Sequence, residues 1–238
     1  MIASDNVLPS CRKSEGDMTN TIALITDSTC DIPQAMIDQY RITVIPQFVV
    51  WGSEILRDRI DLTAEDFYQR LEKDPIWPTT TLPSPLDFEK VFWDTIVGGA
   101  QEIVVMTVSS AMSGTFQLAK QVGQQMDVPV HVVDSKGPTM SLGWQVLAAA
   151  RIREVGGSAL KMVEAAARVR DNLVQIVCLD TLEYLHRGGR IGNAPGFRRS
   201  QGLCFPCRET AFYAFVRAIR YPCVNQLDCP GRAFGKNK

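Results

Sequence analysis

Histidine is nearly missing from this chain, with only His131 and His186 in 238 residues. Imidazole chemistry therefore has at most two positions to use. His131 lies in an apolar alternation with Val130 and Val132, which makes it a hydrogen-bonded structural residue of a strand. Also missing is any apolar run approaching the roughly 18 residues of a membrane span, and the N-terminus lacks the compact apolar stretch of a signal peptide. The expected compartment is the cytoplasm. Neither sign of charge dominates: 25 Lys and Arg against 26 Asp and Glu leave a formal net charge of −1. That balance gives no electrostatic reason to expect nucleic acid or an anionic membrane surface as a partner. One local basic cluster stands out, His186-Arg187-Gly188-Gly189-Arg190.

Three chemical signatures are absent too. There is no Walker-type phosphate loop, no GxGxxG dinucleotide fingerprint and no GxSxG nucleophile elbow. Mononucleotide binding is disfavoured, the serines have no evident activating base, and no cofactor is expected. Seven cysteines in a chain of this length do not make a disulfide scaffold. Cys11, Cys30 and Cys178 are scattered, whereas Cys204, Cys207, Cys223 and Cys229 crowd the final segment. A Cys-x-x-Cys followed by two more thiols can hold zinc, but structural sites usually repeat the short pair, and five residues separate Cys223 from Cys229.

Strand-like and helix-like segments alternate along most of the chain. Residues 1–19 are polar and aperiodic and read as a disordered leader ahead of the buried strand that begins at Thr21. Asp31-Ile32-Pro33 opens a helix to about Tyr40, with Asp31 as its cap. Residues 42–51 are the next strand, residues 63–73 a helix stopped by Pro75 and Pro78, and Ser84-Pro85 starts another helix with Phe88, Val91, Phe92 and Ile96 at helical spacing. Residues 103–108 form a buried strand, 113–126 a helix, 129–133 a strand and 141–155 a helix. Ser158 caps a further helix to about Arg170, and strand character resumes over 174–179. Strands separated by helix-length segments predict an α/β fold, a mostly parallel sheet with helices on both faces.

Within that fold, three hydroxyl-rich turns precede helix starts: Thr26-Asp27-Ser28-Thr29, the run Thr79 to Ser84, and the run Ser109 to Thr115. Hydroxyls and unpaired backbone N–H groups at helix N-termini attract anions. In parallel sheets, ligands bind beyond the strand C-termini, where Thr26–Thr29, Ser109–Gly114 and Asp134-Ser135 fall. Each turn taken alone is explained by helix capping; three in register point to a cradle for a small anionic head group. Ser113-Gly114-Thr115 is the most suggestive, because a glycine lets a ligand approach the backbone. The alternative class is a small-molecule or metal-dependent enzyme using Asp27, Asp31, Asp134 and the serine turns; hydrogen bonding within the turns explains those acids equally well.

The same stretches carry a family resemblance. Thr26 to Pro33, Thr80 to Ser84, Ser109 to Gln117, Val133-Asp134-Ser135 and Leu182 to Ile191 resemble, in order, the successive motifs of the DegV family. That family comprises bacterial fatty-acid-binding proteins, some of which present acyl chains to a fatty acid kinase. The resemblance covers roughly residues 21–194 and implies two domains, 20–173 as the N-terminal one and 174–194 as the start of a second α/β domain. It also implies a long-chain fatty acid such as palmitate as ligand, buried in a tunnel, with no catalytic role for the chain itself. The threonine of the family's Thr-Ser-x-Pro-Ser motif falls on Thr80 and the serine of its Ser-Gly-Thr/Ser motif on Ser113, the expected carboxylate-binding pair. Ser28, Ser109, Ser110 and Gly114 are the supporting turn candidates, while Thr81 and Leu82 depart from the family's usual Ser and frequent Gln. Two hydroxyls and helix-terminal N–H groups can satisfy a carboxylate without a permanent positive partner.

Residues 195–238 depart from the family altogether. They carry four cysteines, show no sustained period beyond 210–219 and end in Gly231 to Lys238. The leading expectation is a shifted reading frame or a truncation that leaves the second domain incomplete and the tunnel open on one side; an authentic small metal module is the lesser alternative.

Overall fold

A computed structural model describes residues 21–175 and 187–190. The expected leader, most of the strand at 174–179, the 182–186 motif and the cysteine-bearing tail lie outside the described residues.

The chain begins with β1 (Ile22–Asp27), a 3-10 turn (Ser28–Cys30), α1 (Gln34–Gln39), β2 (Thr43–Ile45), β3 (Phe48–Trp51) and β4 (Glu54–Arg57). It continues through α2 (Ala64–Lys73), β5 (Thr79–Thr81), α3 (Pro85–Val97), β6 (Glu102–Thr107), α4 (Thr115–Gly123) and β7 (Val130–Asp134). Two long helices follow, α5 (Met140–Glu154) and α6 (Ala159–Asn172). The main sheet has the order β2-β1-β6-β7, and every pair in it is parallel.

Alternation along the two central strands explains why helices cover both faces. Leu24, Val104 and Met106 pack with Ile37 of α1, Leu142 and Val146 of α5 and Met162 of α6. Their neighbours Ile25, Ile103 and Val105 point the other way, onto Phe88 and Phe92 of α3 and Ala119 and Val122 of α4. Successive strand side chains face opposite sides, so a run apolar at every position must be buried twice. Each large side chain so buried stabilises the fold by roughly 1.5–3 kcal/mol.

Local capping places the helices as the sequence suggests. Ser84 and Asp87 form a reciprocal capping box, Ser84 Oγ accepting from Asp87 N at 3.3 Å and Ser84 N donating to Asp87 Oδ2 at 2.8 Å. Thr63 and Ser158 cap α2 and α6 with their hydroxyls alone, accepting from Asp66 N and Lys161 N. Asp31 does not cap α1: it is left-handed, φ 51°, just after the 3-10 turn, and Pro33 holds the cap position. Asp31 instead closes the 3-10 turn as its C-terminal cap.

The larger difference is at residues 42–51, which form two strands, not one. The chain breaks at Pro46-Gln47, leaving β2 in the main sheet and β3 in a separate three-stranded antiparallel sheet of order β4-β3-β5. Proline cannot donate to a ladder, so its position marks the change of sheet. The run Thr79–Thr81, expected as a turn, is the strand β5, with Thr80 opposite Val49. This small sheet has its own core of Val49, Trp51 and Leu62 against Phe67 and Leu71. Among the described residues no helix is long and apolar enough to cross a membrane.

Candidate functional site

The strand order reverses direction between β1 and β6, so the crevice beyond their C-terminal ends is the natural ligand position of this sheet. A buried carboxylate joins the two turns there. Asp27, 1% exposed, accepts from Thr29 N at 3.0 Å and Thr29 Oγ1 at 2.6 Å through Oδ1, and from Val108 N at 2.7 Å through Oδ2. Burial pushes the Asp27 carboxyl above the usual aspartate value; the bonds from Thr29 and Val108 oppose that shift without cancelling it.

Asp134, at the end of β7, ties the next turn. It accepts from Ser110 N at 3.1 Å, Ser110 Oγ at 2.5 Å and Lys136 N at 2.9 Å. Ser109 shapes the same loop: its Oγ accepts from Ala111 N at 3.2 Å and its carbonyl from Met112 N and Ser113 N. These bonds deliver Ser113 and Gly114 to the start of α4, where Gly114 supplies no side-chain cap and Thr115 N donates to Ser113 Oγ.

The third turn arrives from the small sheet. Pairing of β5 with β3 carries Thr80 and Leu82 to this edge, and a Cβ built on Gly114 would stand 3.7 Å from Leu82 Cδ2. Gly114 has φ −72°, a conformation open to any residue, so backbone strain does not require the glycine. Gln47 connects the sheets: its N donates to Ser28 Oγ at 3.0 Å and its Nε2 to Thr115 Oγ1 at 3.2 Å.

Hydroxyl hydrogens divide the candidates, since each Ser or Thr has one to give. Ser28 gives its hydrogen to Asp58 Oδ2 at 2.5 Å, and Ser110 gives its own to Asp134. Thr80 is different: its Oγ1 accepts from Arg190 Nη2 at 2.6 Å, which leaves its hydrogen free to donate. Ser113 Oγ accepts from Thr115 N at 3.3 Å and shares a hydrogen bond with Thr115 Oγ1 at 2.7 Å. Thr80 and Ser113 thus come from separate segments that meet at Leu82 and Gly114, whereas Ser28 and Ser110 are engaged with carboxylates.

Three participants escaped sequence reasoning. Arg190, read in the sequence within a basic cluster and the Leu182 to Ile191 motif but given no role, brings a guanidinium to Thr80, so a positive group does stand at the candidate site. Its neighbour Arg187 stacks 4.1 Å from the Trp77 ring centroid. Gln47 and Asp58 carried no signal beyond the proline that precedes Gln47.

Of the acids proposed for an enzyme, Asp27 and Asp134 accept hydrogen bonds of the turns and Asp31 pairs with Arg59 at 3.1 Å, and among the described residues no group of three or more His, Cys, Asp or Glu is placed to share a metal ion. His131 meets Glu102 at 2.6 Å within the sheet, the structural role expected of it. A cleft of about 970 Å³ lined by Tyr40, Arg41, Arg153 and Ser158 lies at the opposite, N-terminal end of β1. Arg153 there donates to the carbonyls of Ile22, Tyr40 and Arg41, so its guanidinium holds the backbone together.

Known proteins share this fold. The family described as "Uncharacterised protein, DegV family" matches residues 21–199. A DegV domain-containing protein of Streptomyces coelicolor is 35% identical over 178 residues, 74% of this chain and 63% of the relative. Among solved structures, a fatty-acid-binding DegV family protein from Thermus thermophilus aligns with a TM-score of 0.68 at 33% identity, over 74% of this chain and 63% of that one. DegV of Bacillus subtilis, a fatty acid binding protein, aligns with a TM-score of 0.68 at 29% identity, over 75% of this chain and 64% of its own. The chain spans a little over three fifths of the length of the curated relatives it matches. With the family matched over residues 21–199 and the parallel sheet with its covering helices shared with solved members, the chain belongs to the DegV family.

Proposed function

We propose that this protein binds a long-chain fatty acid such as palmitate in the cytoplasm and holds its carboxylate with Thr80 and Ser113, as a non-catalytic carrier that presents the acid to a partner such as a fatty acid kinase. The observation that carries this reading is the hydrogen bookkeeping at the crevice. Thr80 Oγ1 already accepts from Arg190, and Ser113 Oγ from Thr115 N, so both hydroxyls can donate outward to a group that only accepts. The charge of the carboxylate makes such bonds about twice as strong as neutral ones, and Arg190, donating to Thr80, brings a positive group to offset it. The relatives from Thermus thermophilus and Bacillus subtilis, both fatty acid binders, support the ligand class.

The head group sets orientation and the tail supplies affinity. Each methylene removed from water contributes about 0.8 kcal/mol, so a long chain outweighs two hydroxyl contacts. Native mass spectrometry of the full chain made in bacteria tests the reading. A retained acyl mass that falls on Thr80→Ala or Ser113→Ala supports it. Recovery of the protein without fatty acid, or undiminished retention in the double variant, overturns it.

A further inference from the structure

We infer that Gln47 and Thr115 are positioning residues that lock Ser113 as a hydrogen donor and thereby make the site select an ionised carboxylate over a neutral head group of the same chain length. This rests on the fatty-acid reading of the site and adds to it the source of head-group selectivity.

The inference follows from counting hydrogens along one path. Thr115 is fully buried, and its Oγ1 receives a hydrogen from Gln47 Nε2 at 3.2 Å. Its own hydrogen has one acceptor among the described residues, Ser113 Oγ at 2.7 Å. Reversing that bond would leave Thr115 Oγ1 accepting twice and its hydrogen buried without a partner, which is the costly arrangement. Thr115 therefore donates to Ser113. Ser113 Oγ then accepts from both Thr115 Oγ1 and Thr115 N, and its single hydrogen turns outward.

Gln47 itself is held in place. Its backbone N donates to Ser28 Oγ, and Ser28 passes its hydrogen to Asp58 Oδ2 at 2.5 Å. It is also two residues before Val49, the register partner of Thr80. One residue at the change of sheet thus couples the Ser113 turn to the strand that carries Thr80. Thr80 points its hydrogen outward for a parallel reason, its oxygen being filled by Arg190. Two outward hydrogens suit a carboxylate, which only accepts; an alcohol brings a hydrogen of its own and leaves one donor unmatched.

Gln47→Glu replaces the donor with an acceptor. Thr115 would then donate toward residue 47, Ser113 toward Thr115, and the ligand would lose the Ser113 hydrogen. The test measures displacement of a fluorescent fatty acid from the full chain by palmitate and by cetyl alcohol of equal chain length. Wild type is expected to favour the acid, and Gln47→Glu to cut that preference roughly tenfold or more through weaker acid binding. Thr115→Ser, which keeps the hydroxyl, is expected to retain the preference. A merely structural role would weaken acid and alcohol together, so an unchanged acid-to-alcohol ratio in folded Gln47→Glu overturns the relay. A wild-type chain that holds neither ligand overturns the fatty-acid reading, and the relay with it; a wild type that binds both equally overturns the relay alone.

Discussion

Replacing Gly114 with alanine separates stability from binding at the candidate site. The residue has φ −72° and ψ −2°, which alanine adopts freely, and the added Cβ would meet only Leu82 Cδ2, in ordinary contact at 3.7 Å. Loss of glycine's freedom in the unfolded chain stabilises by about 0.4–1 kcal/mol. The position makes no side-chain cap that alanine could remove, so unfolding stability should stay within about 1 kcal/mol of wild type. Binding should not stay. The new methyl would project from the turn that carries Ser113, one of the two hydroxyls proposed to hold the carboxylate, toward the Thr80–Leu82 segment that carries the other. Forcing the carboxylate back by the width of a methyl loses at least one charge-assisted bond, about 1.5–3 kcal/mol. That corresponds to roughly a 10- to 150-fold weaker Kd. Displacement of a fluorescent fatty acid gives the affinity, and urea unfolding followed by tryptophan fluorescence gives the stability. Native stability with undiminished affinity would show that the head group lies elsewhere.

Other expectations concern the frame around the site. Asp27→Ala leaves Val108 N without its acceptor in a buried turn and should lower stability at neutral pH by about 1–3 kcal/mol, read as a shift in urea midpoint at constant slope. Because burial raises the folded pKa of Asp27, its stabilising contribution is full below the ordinary aspartate value and is lost as pH rises through the folded one. The gap between wild type and Asp27→Ala should therefore narrow with rising pH, and a gap that widens refutes the assignment. Asp61 is held down to about 2 by the Arg57 side chain, so its contribution is present above the ordinary value and disappears as pH falls toward 2. NMR titration should find that value in wild type and a higher one in Arg57→Ala, still below the ordinary value because the backbone N–H of residue 57 continues to donate to Asp61. Gly143→Ala would press a Cβ against the Cys30 carbonyl oxygen and to 2.9 Å from Met140 Sδ, at the contact of α5 with the 3-10 turn. A loss of about 1–3 kcal/mol is expected despite the better helix propensity of alanine, and an unchanged midpoint would mean the helix moves freely.

Legibility in the sequence followed the distance over which each determinant acts. The cap of α3 needs only Ser84 and Asp87, three residues apart, and could be read directly. The double burial of β1 and β6 could be read too, because a β-branched apolar run has no polar face to show to water. The split at Pro46-Gln47 was missed since both halves are equally apolar, and only their hydrogen-bonding partners distinguish β2 from β3. Thr79–Thr81 looked like a turn for the same reason: three exposed threonines gain strand geometry only by pairing with β3.

At the candidate site the sequence by itself determined the chemistry available, a set of hydroxyls and acids at strand ends before helix starts, because those preferences are local. Tertiary structure alone decided which hydroxyls have a hydrogen to give. Asp27 reaches Val108 across 81 residues, Gln47 reaches Thr115 across 68 and Arg190 reaches Thr80 across 110. A hydroxyl's direction depends on what else touches its oxygen, and here those contacts come from chain segments brought together by burial of the sheet.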